Sequence, residues 1–191
     1  CEWVNHHPWG RYTEFLEQGC DAVLLVGMHA RAGTPDGVLS HTISSTTWRN
    51  LYFNTDLVGE TGINAALCGH YNCPVLLVTG DEATCREAKN LLGKNLTTVA
   101  IKRGLSRFSA RNIPPARARN MIEEGAKAAL KNIKAVKPYK PKSPTAITID
   151  LGYVDRGDQF KGRPGVEFID PLKVVSKGKN WMQAWNQIWH F

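Results

Sequence analysis

Residues 24–42 read "LLVGMHARAGTPDGVLSHT", and this stretch decides the fold. An apolar run ends on Gly27; a histidine, an arginine, a second histidine and a scatter of Gly, Pro, Ser and Thr follow at once. The run over residues 21–26 has strand length and predicts a strand buried on both faces. Residues 28–47 predict a long irregular connection, which inside a compact domain is usually kept for function.

Working outward, residues 9–18 predict a short helix stopped by Gly19. Residues 49–54 alternate as a strand, and Asn54-Thr55-Asp56 turn it into a hairpin returning through Leu57 and Val58. Residues 60–70 place Ile63, Ala66 and Leu67 on one helical face. A second buried strand spans 74–79; Gly80-Asp81 introduce a helix over 82–92, closed by Gly93, and a third strand spans 96–101. Pro114-Pro115 open a long helix to about residue 136, because proline suits a first turn whose N–H has no helical partner. Three prolines make 137–144 a stiff connector. Residues 145–150 and 166–175 predict further strands, and 179–191 a tryptophan-rich helix. Strands alternating with helices predict an α/β layered fold with a mostly parallel sheet and helices on both faces. Residues 1–136 form the core carrying the site, and residues 145–191 a C-terminal strand and helix appendage packed on the same domain.

A chain of 191 residues with an ordinary apolar fraction builds a core without staples. No apolar run approaches the ~20 residues of a membrane span, so no membrane partner is expected. The net charge of +7 gathers between Arg103 and Lys142. Lys127, Lys131 and Lys134 recur at helical spacing as a solvated face, without interleaved aromatics or a nucleic-acid motif, so no nucleic-acid partner is expected either. The five cysteines include no pair with two-residue spacing; Cys20, Cys68 and Cys85 read as reduced, buried, small hydrophobes, which favours a cytoplasmic location. Trp181, Trp185 and Trp189 recur every four residues as a packing stripe or subunit contact, with an aromatic substrate wall as the alternative.

In open α/β sheets ligands bind beyond the carboxyl ends of the strands, and His29 stands there. His41 follows twelve residues later, after a loop able to fold it back, and Glu60 opens a helix that fixes its carboxylate. Two imidazoles and a carboxylate suit zinc; a hydrogen-bonded structural role for the histidines is the alternative.

The order Gly27-Met28-His29-Ala30, Thr34-Pro35, Ser40-His41 and Gly59-Glu60-Thr61-Gly62-Ile63-Asn64 resembles the zinc-dependent D-aminopeptidase family. The likeness continues to Asp81 and, more loosely, through "RPGVEFIDPLKVV" and the final helix. The resemblance implies an amide or peptide hydrolase, in which metal-activated water attacks the carbonyl next to a free amino group. It implies zinc as cofactor, His29 and Glu60 among its ligands, and His41 as the acid–base or oxyanion-stabilising group. It also implies a homo-oligomer and a small peptide or amide substrate, with small D-residues favoured. The family's N-terminal Asp-x-Glu-Gly ligand segment, and a further ligand histidine after a second strand, have no counterpart in this sequence.

Starting at Cys1, the chain suggests a truncated or processed N-terminus. It reads as one chain of a cleaved precursor whose N-terminal partner supplies the first strands, as a proteolytic fragment, or as a scaffold whose chemistry has changed. A free N-terminal cysteine carries its own base, an α-amine of pKa ~7.7–8.0. Cys1 is therefore the candidate nucleophile of an alternative amidohydrolase exposed by autoproteolysis, with His6 and His7 as nearby acid–base groups, metal ligands or a surface pair. A third alternative is a non-catalytic subunit or binding module on the same scaffold.

Overall fold

The computed structural model describes residues 13–189. In chain order they form α1 (Glu14–Glu17), β1 (Val23–Leu25), β2 (Trp48–Phe53), β3 (Asp56–Val58), α2 (Glu60–His70), β4 (Val75–Asp81) and α3 (Glu82–Leu92). Then follow β5 (Thr97–Ser106), β6 (Ser109–Asn112), α4 (Pro115–Leu130), β7 (Thr145–Leu151), β8 (Val166–Asp170), β9 (Lys173–Gly178) and α5 (Trp181–Ile188). Cys1, His6 and His7 lie outside the described residues, as does the start of the helix expected over 9–18.

Two sheets organise the chain. The first has the order β1-β4-β5-β6 and is parallel except for the β5–β6 hairpin. Its centre is β4, whose run "VLLVTGD" is buried at every position because helices cover both faces. Ala65 and Cys68 of α2 and Ala88 of α3 pack with Val75 and Val78; on the other face Ala129 and Met121 of α4 pack with Leu76 and Leu77. The layered α/β expectation holds. The expectation that residues 21–26 are buried on both faces does not. β1 is half-buried and Val26 is 58% exposed, because among the described residues β1 is an edge strand paired only with β4.

The second sheet is antiparallel, in the order β3-β2-β7-β9-β8. The hairpin over residues 48–58 thus joins the C-terminal strands: Leu51 pairs with Ile149 and Phe53 with Ile147. Alternation along β7 puts Ile147, Ile149 and Leu151 on one face, against Trp48, Phe53, Trp181 and Trp185. The tryptophan stripe is therefore a packing stripe, with Trp181 and Trp185 stacked at 5.4 Å between ring centroids. The expected strand over 166–175 is two strands, β8 and β9, with a turn at Pro171 and Leu172.

Helix α2 lies between the sheets. It turns Ile63, Ala66 and Leu67 to the second and Ala65 and Cys68 to the first. Eight of its eleven residues are buried, so the single apolar face read from the sequence understates its burial. This central helix carries Glu60 as its first residue. Helix α3 begins and ends as its caps predict, with the Asp81 carboxylate accepting the Thr84 N–H at 2.7 Å and Gly93 at φ 97°.

Candidate metal centre

The chain stays attached to β4 past the end of β1. Gly27 N–H donates to Thr79 Oγ1 at 2.9 Å and Met28 N–H to Thr79 O at 2.8 Å. Gly80 makes room for this: a Cβ there would stand 2.4 Å from Met28 O. His29 consequently leaves the sheet in a fixed direction. Gly59, just before Glu60, permits an equally close approach, since a Cβ there would be 2.7 Å from Arg31 Cβ.

Side chains from other elements tie down the long loop. Asp81 accepts the Val38 N–H at 2.6 Å besides capping α3, and Glu87 on α3 accepts the Arg31 N–H at 3.0 Å and the Thr34 hydroxyl. Ala32 N–H donates to Thr42 Oγ1 at 3.0 Å, and His41 N–H to Ala30 O at 3.3 Å, which folds the loop back on itself. Leu39 and Ile43 flank His41 at φ 54° and 59°. Neither is a glycine, and a β-branched residue in this left-handed region is strained. At Ile43 the conformation aims the N–H at Glu60 Oε1, 2.8 Å away.

Together these constraints bring His29, His41 and Glu60 to one point. Their donor atoms lie within 4.8 Å of one another. The two imidazoles stack with centroids 3.9 Å apart and planes 14° from parallel. His29 Nε2 is 3.5 Å from Glu60 Oε2, and His41 Nε2 is 3.6 Å from Glu60 Oε1. His29 Nδ1 lies 3.0 Å from Ala30 O and His41 Nδ1 2.7 Å from Leu39 O. A carbonyl only accepts, so each Nδ1 carries a proton and each Nε2 is left facing the carboxylate, where it holds a proton against Glu60 or, once deprotonated, offers its lone pair to a metal ion. Backbone carbonyls holding Nδ1–H are the usual outer partners of metal-binding histidines. Tetrahedral zinc with bonds of about 2.0–2.1 Å sets its ligand atoms about 3.4 Å apart, close to both Nε2-to-carboxylate separations. The donor set therefore fits zinc. All three side chains are 22–29% exposed, so solvent reaches the site.

The electrostatics follow from the contacts. Burial disfavours the charged His29 ring, but contact with Glu60, the Ala30 carbonyl and the charges of Glu60 and Asp81 outweigh it and raise its pKa above 6.5. Burial likewise works against the Glu60 carboxylate; the His29 contact, the Ile43 N–H and the charges of His29 and His41 prevail and hold its pKa below 4.5.

The sequence reading chose His29, His41 and Glu60, and the fold gathers all three. It read Asp81 only as a helix cap and missed Glu87, which secures the first half of the loop. It also missed Arg107, whose Nε donates to Ser40 O at 3.1 Å and whose Nη2 donates to Ser45 Oγ at 3.0 Å. Arg107 sits at the tip of the β5–β6 hairpin, whose second strand has no apolar alternation to betray it. Cys20, Cys68, Cys73 and Cys85 are free thiols, and burial pushes Cys68 and Cys85 up to about 11.

Fold and site together define an α/β scaffold that gathers a His, His, Glu cluster able to hold a metal ion beyond the end of a parallel strand. The chain belongs to the D-aminopeptidase family of peptidases, M55, which matches residues 7–190. A D-aminopeptidase of Bacillus subtilis (strain 168) is 36% identical over 174 residues, covering 91% of this chain and 62% of the relative. The solved structure of the Zn-dependent D-aminopeptidase DppA from Bacillus subtilis, a self-compartmentalizing protease, matches with a TM-score of 0.81 at 33% identity. That match covers 88% of this chain and 61% of the other, so the chain spans under two thirds of either relative. Nothing in these likenesses favours Cys1 as a nucleophile, autoproteolysis or an N-terminal partner chain. Among the described residues no helix is long and apolar enough to cross a membrane.

Proposed function

We propose that this chain carries part of the active site of a zinc-dependent D-aminopeptidase, with His29 and Glu60 as zinc ligands and His41 as the acid–base group. One observation carries the reading: two imidazole nitrogens and one carboxylate converge within 4.8 Å at the end of a parallel strand. Zinc, when bound, supplies Lewis acidity for the scissile carbonyl and the attacking water. His41 has its Nδ1 proton committed to Leu39 O, so Nε2 alone exchanges protons. It takes one from the attacking water and returns one to the amine as the C–N bond breaks. The Glu60 carboxylate, 3.6 Å away, stabilises the imidazolium between those steps. A substrate with a free α-amino group on a D-residue is supported by the likeness to a D-aminopeptidase of Bacillus subtilis, and assembly into a homo-oligomer by the likeness to a solved structure described as self-compartmentalizing.

The stacking of His41 on His29 favours a second assignment, in which His41 is a third ligand. Zinc content and turnover of His41→Ala decide between them. Zinc retained with turnover lost supports the acid–base role; zinc lost makes His41 a ligand. The proposal as a whole is tested with a small D-amino-acid anilide and its L-enantiomer, with and without a chelator. Chelator-sensitive cleavage of the D-form is expected. Cleavage that survives removal of zinc and stops on thiol alkylation overturns it in favour of Cys1.

A further inference from the structure

We infer that Arg107 is the positioning residue for His41, its guanidinium holding the Ser40 carbonyl on one side of that imidazole and the Ser45 hydroxyl on the other from the tip of the β5–β6 hairpin. The inference builds on the proposed role of His41. Three hydrogen bonds carry it. Arg107 Nε donates to Ser40 O at 3.1 Å, Arg107 Nη2 donates to Ser45 Oγ at 3.0 Å, and Arg107 O accepts the Leu39 N–H at 2.7 Å. They grip residues 39, 40 and 45, and His41 hangs between the first two and the last.

The loop needs an outside hold here. Leu39 and Ile43 are both at positive φ, a conformation non-glycine residues disfavour, and Leu39 is 56% exposed, so burial of its side chain does not fix it. Leu39 O is the acceptor that fixes the His41 tautomer, so a shift at Leu39 moves the ring with it. The hairpin itself is seated independently of the guanidinium. Gly104 lies so close to the loop that a Cβ there would be 2.0 Å from Asp36 O, and the Arg107 backbone bond to Leu39 persists whatever the side chain.

The chemistry of Arg107 agrees with a positional task. Its guanidinium hydrogen bonds go to a carbonyl and a hydroxyl rather than to a carboxylate. The Phe108 ring, 5.0 Å from the guanidinium carbon, covers one of its faces. A planar fork satisfies two acceptors in fixed directions, which a single ammonium cannot do.

Arg107→Ala and Arg107→Lys test this against the parent chain, by amide hydrogen exchange and by kinetics on the D-amino-acid anilide. The expected result in Arg107→Ala is faster exchange at residues 39–45, unchanged exchange in β4, and kcat lower by about 10–100-fold with KM nearly constant. Millimolar guanidinium should restore part of the slow exchange and of kcat to Arg107→Ala and do nothing for the parent. Arg107→Lys should fall between. Unchanged exchange at 39–45, exchange accelerated equally through β4, or no rescue by guanidinium overturns the inference. Should the parent chain neither bind zinc nor cleave the anilide, the proposed function fails, and exchange with its rescue still decides whether Arg107 holds the loop.

Discussion

Glu60 answers to two imidazoles and one amide at once. Its Oε1 accepts the Ile43 N–H at 2.8 Å, and both His29 and His41 stand within 3.6 Å of its oxygens. Glu60→Gln keeps the shape and removes the charge, so it should abolish tight zinc binding while the fold survives; metal analysis after dialysis against dilute zinc reads this directly. The same contacts set a pH dependence in the chelated protein. The raised pKa of His29 contributes stability that is full below 6.5 and lost as pH rises through the folded value. The lowered pKa of Glu60 contributes stability present above 4.5 and lost as pH falls through its folded value. The pair therefore stabilises most between about pH 4.5 and 6.5. Melting curves of the chelated chain and of Glu60→Gln should differ most inside that window and converge outside it. Each kcal/mol corresponds to about 2–4 °C for a chain of this size. His29 and His41 stood out because they lie in a segment rich in turn residues and Glu60 because it opens a helix, and the resemblance to the D-aminopeptidase family is what joined the three. Glu87 and Arg107 did not stand out, because a charged residue that holds a loop from across the molecule leaves no mark on its own neighbours.

Elements were legible where local chemistry alone sets their ends. Helix α3 runs from Glu82 to Leu92 as Asp81 and Gly93 predict, and α2 starts after Gly59 as expected. Elements whose character depends on neighbours were misread. β1 looked fully buried because its side chains are apolar, yet burial depends on which strands flank it. The β5–β6 hairpin went unseen because "RGLSRFSARN" is polar and both strands stand half in solvent. The junction of β1 and β4 is where element geometry passes to the site, through Gly80. Gly80→Ala puts a methyl group 2.4 Å from Met28 O and 3.1 Å from Thr84 Cβ, and the first of these is backbone that yields only by moving His29. The expected cost is about 1–3 kcal/mol in urea denaturation, with zinc affinity weakened as well. A variant equal to the parent in both would show that the chain around Met28 shifts freely.

At the scale of the whole molecule, α2 makes one body of two sheets. Its Ile63, Ala66 and Leu67 belong to the core under the antiparallel sheet, and its Ala65 and Cys68 to the core over the parallel one. The sequence suggested C-terminal strands and a helix, set off by a proline-rich connector and packed on the same domain as the core. Pairing of β7 with β2 puts residues 145–151 in the middle of the second sheet. Two reporters separate the halves. Trp48, Trp181, Trp185 and Trp189 all pack in the antiparallel-sheet core, so near-ultraviolet circular dichroism follows that half. Cys85 on α3 is 8% exposed with its thiol pushed up to about 11, so alkylation at pH 8 spares it until the parallel-sheet half opens. If α2 couples the sheets, both signals should change at one urea concentration. Leu67→Ala, removing a side chain only 2% exposed, should lower the two midpoints together, by about 2–5 kcal/mol of stability. Midpoints that separate in the parent chain would mean that the sheets unfold as independent units and that α2 does not couple them.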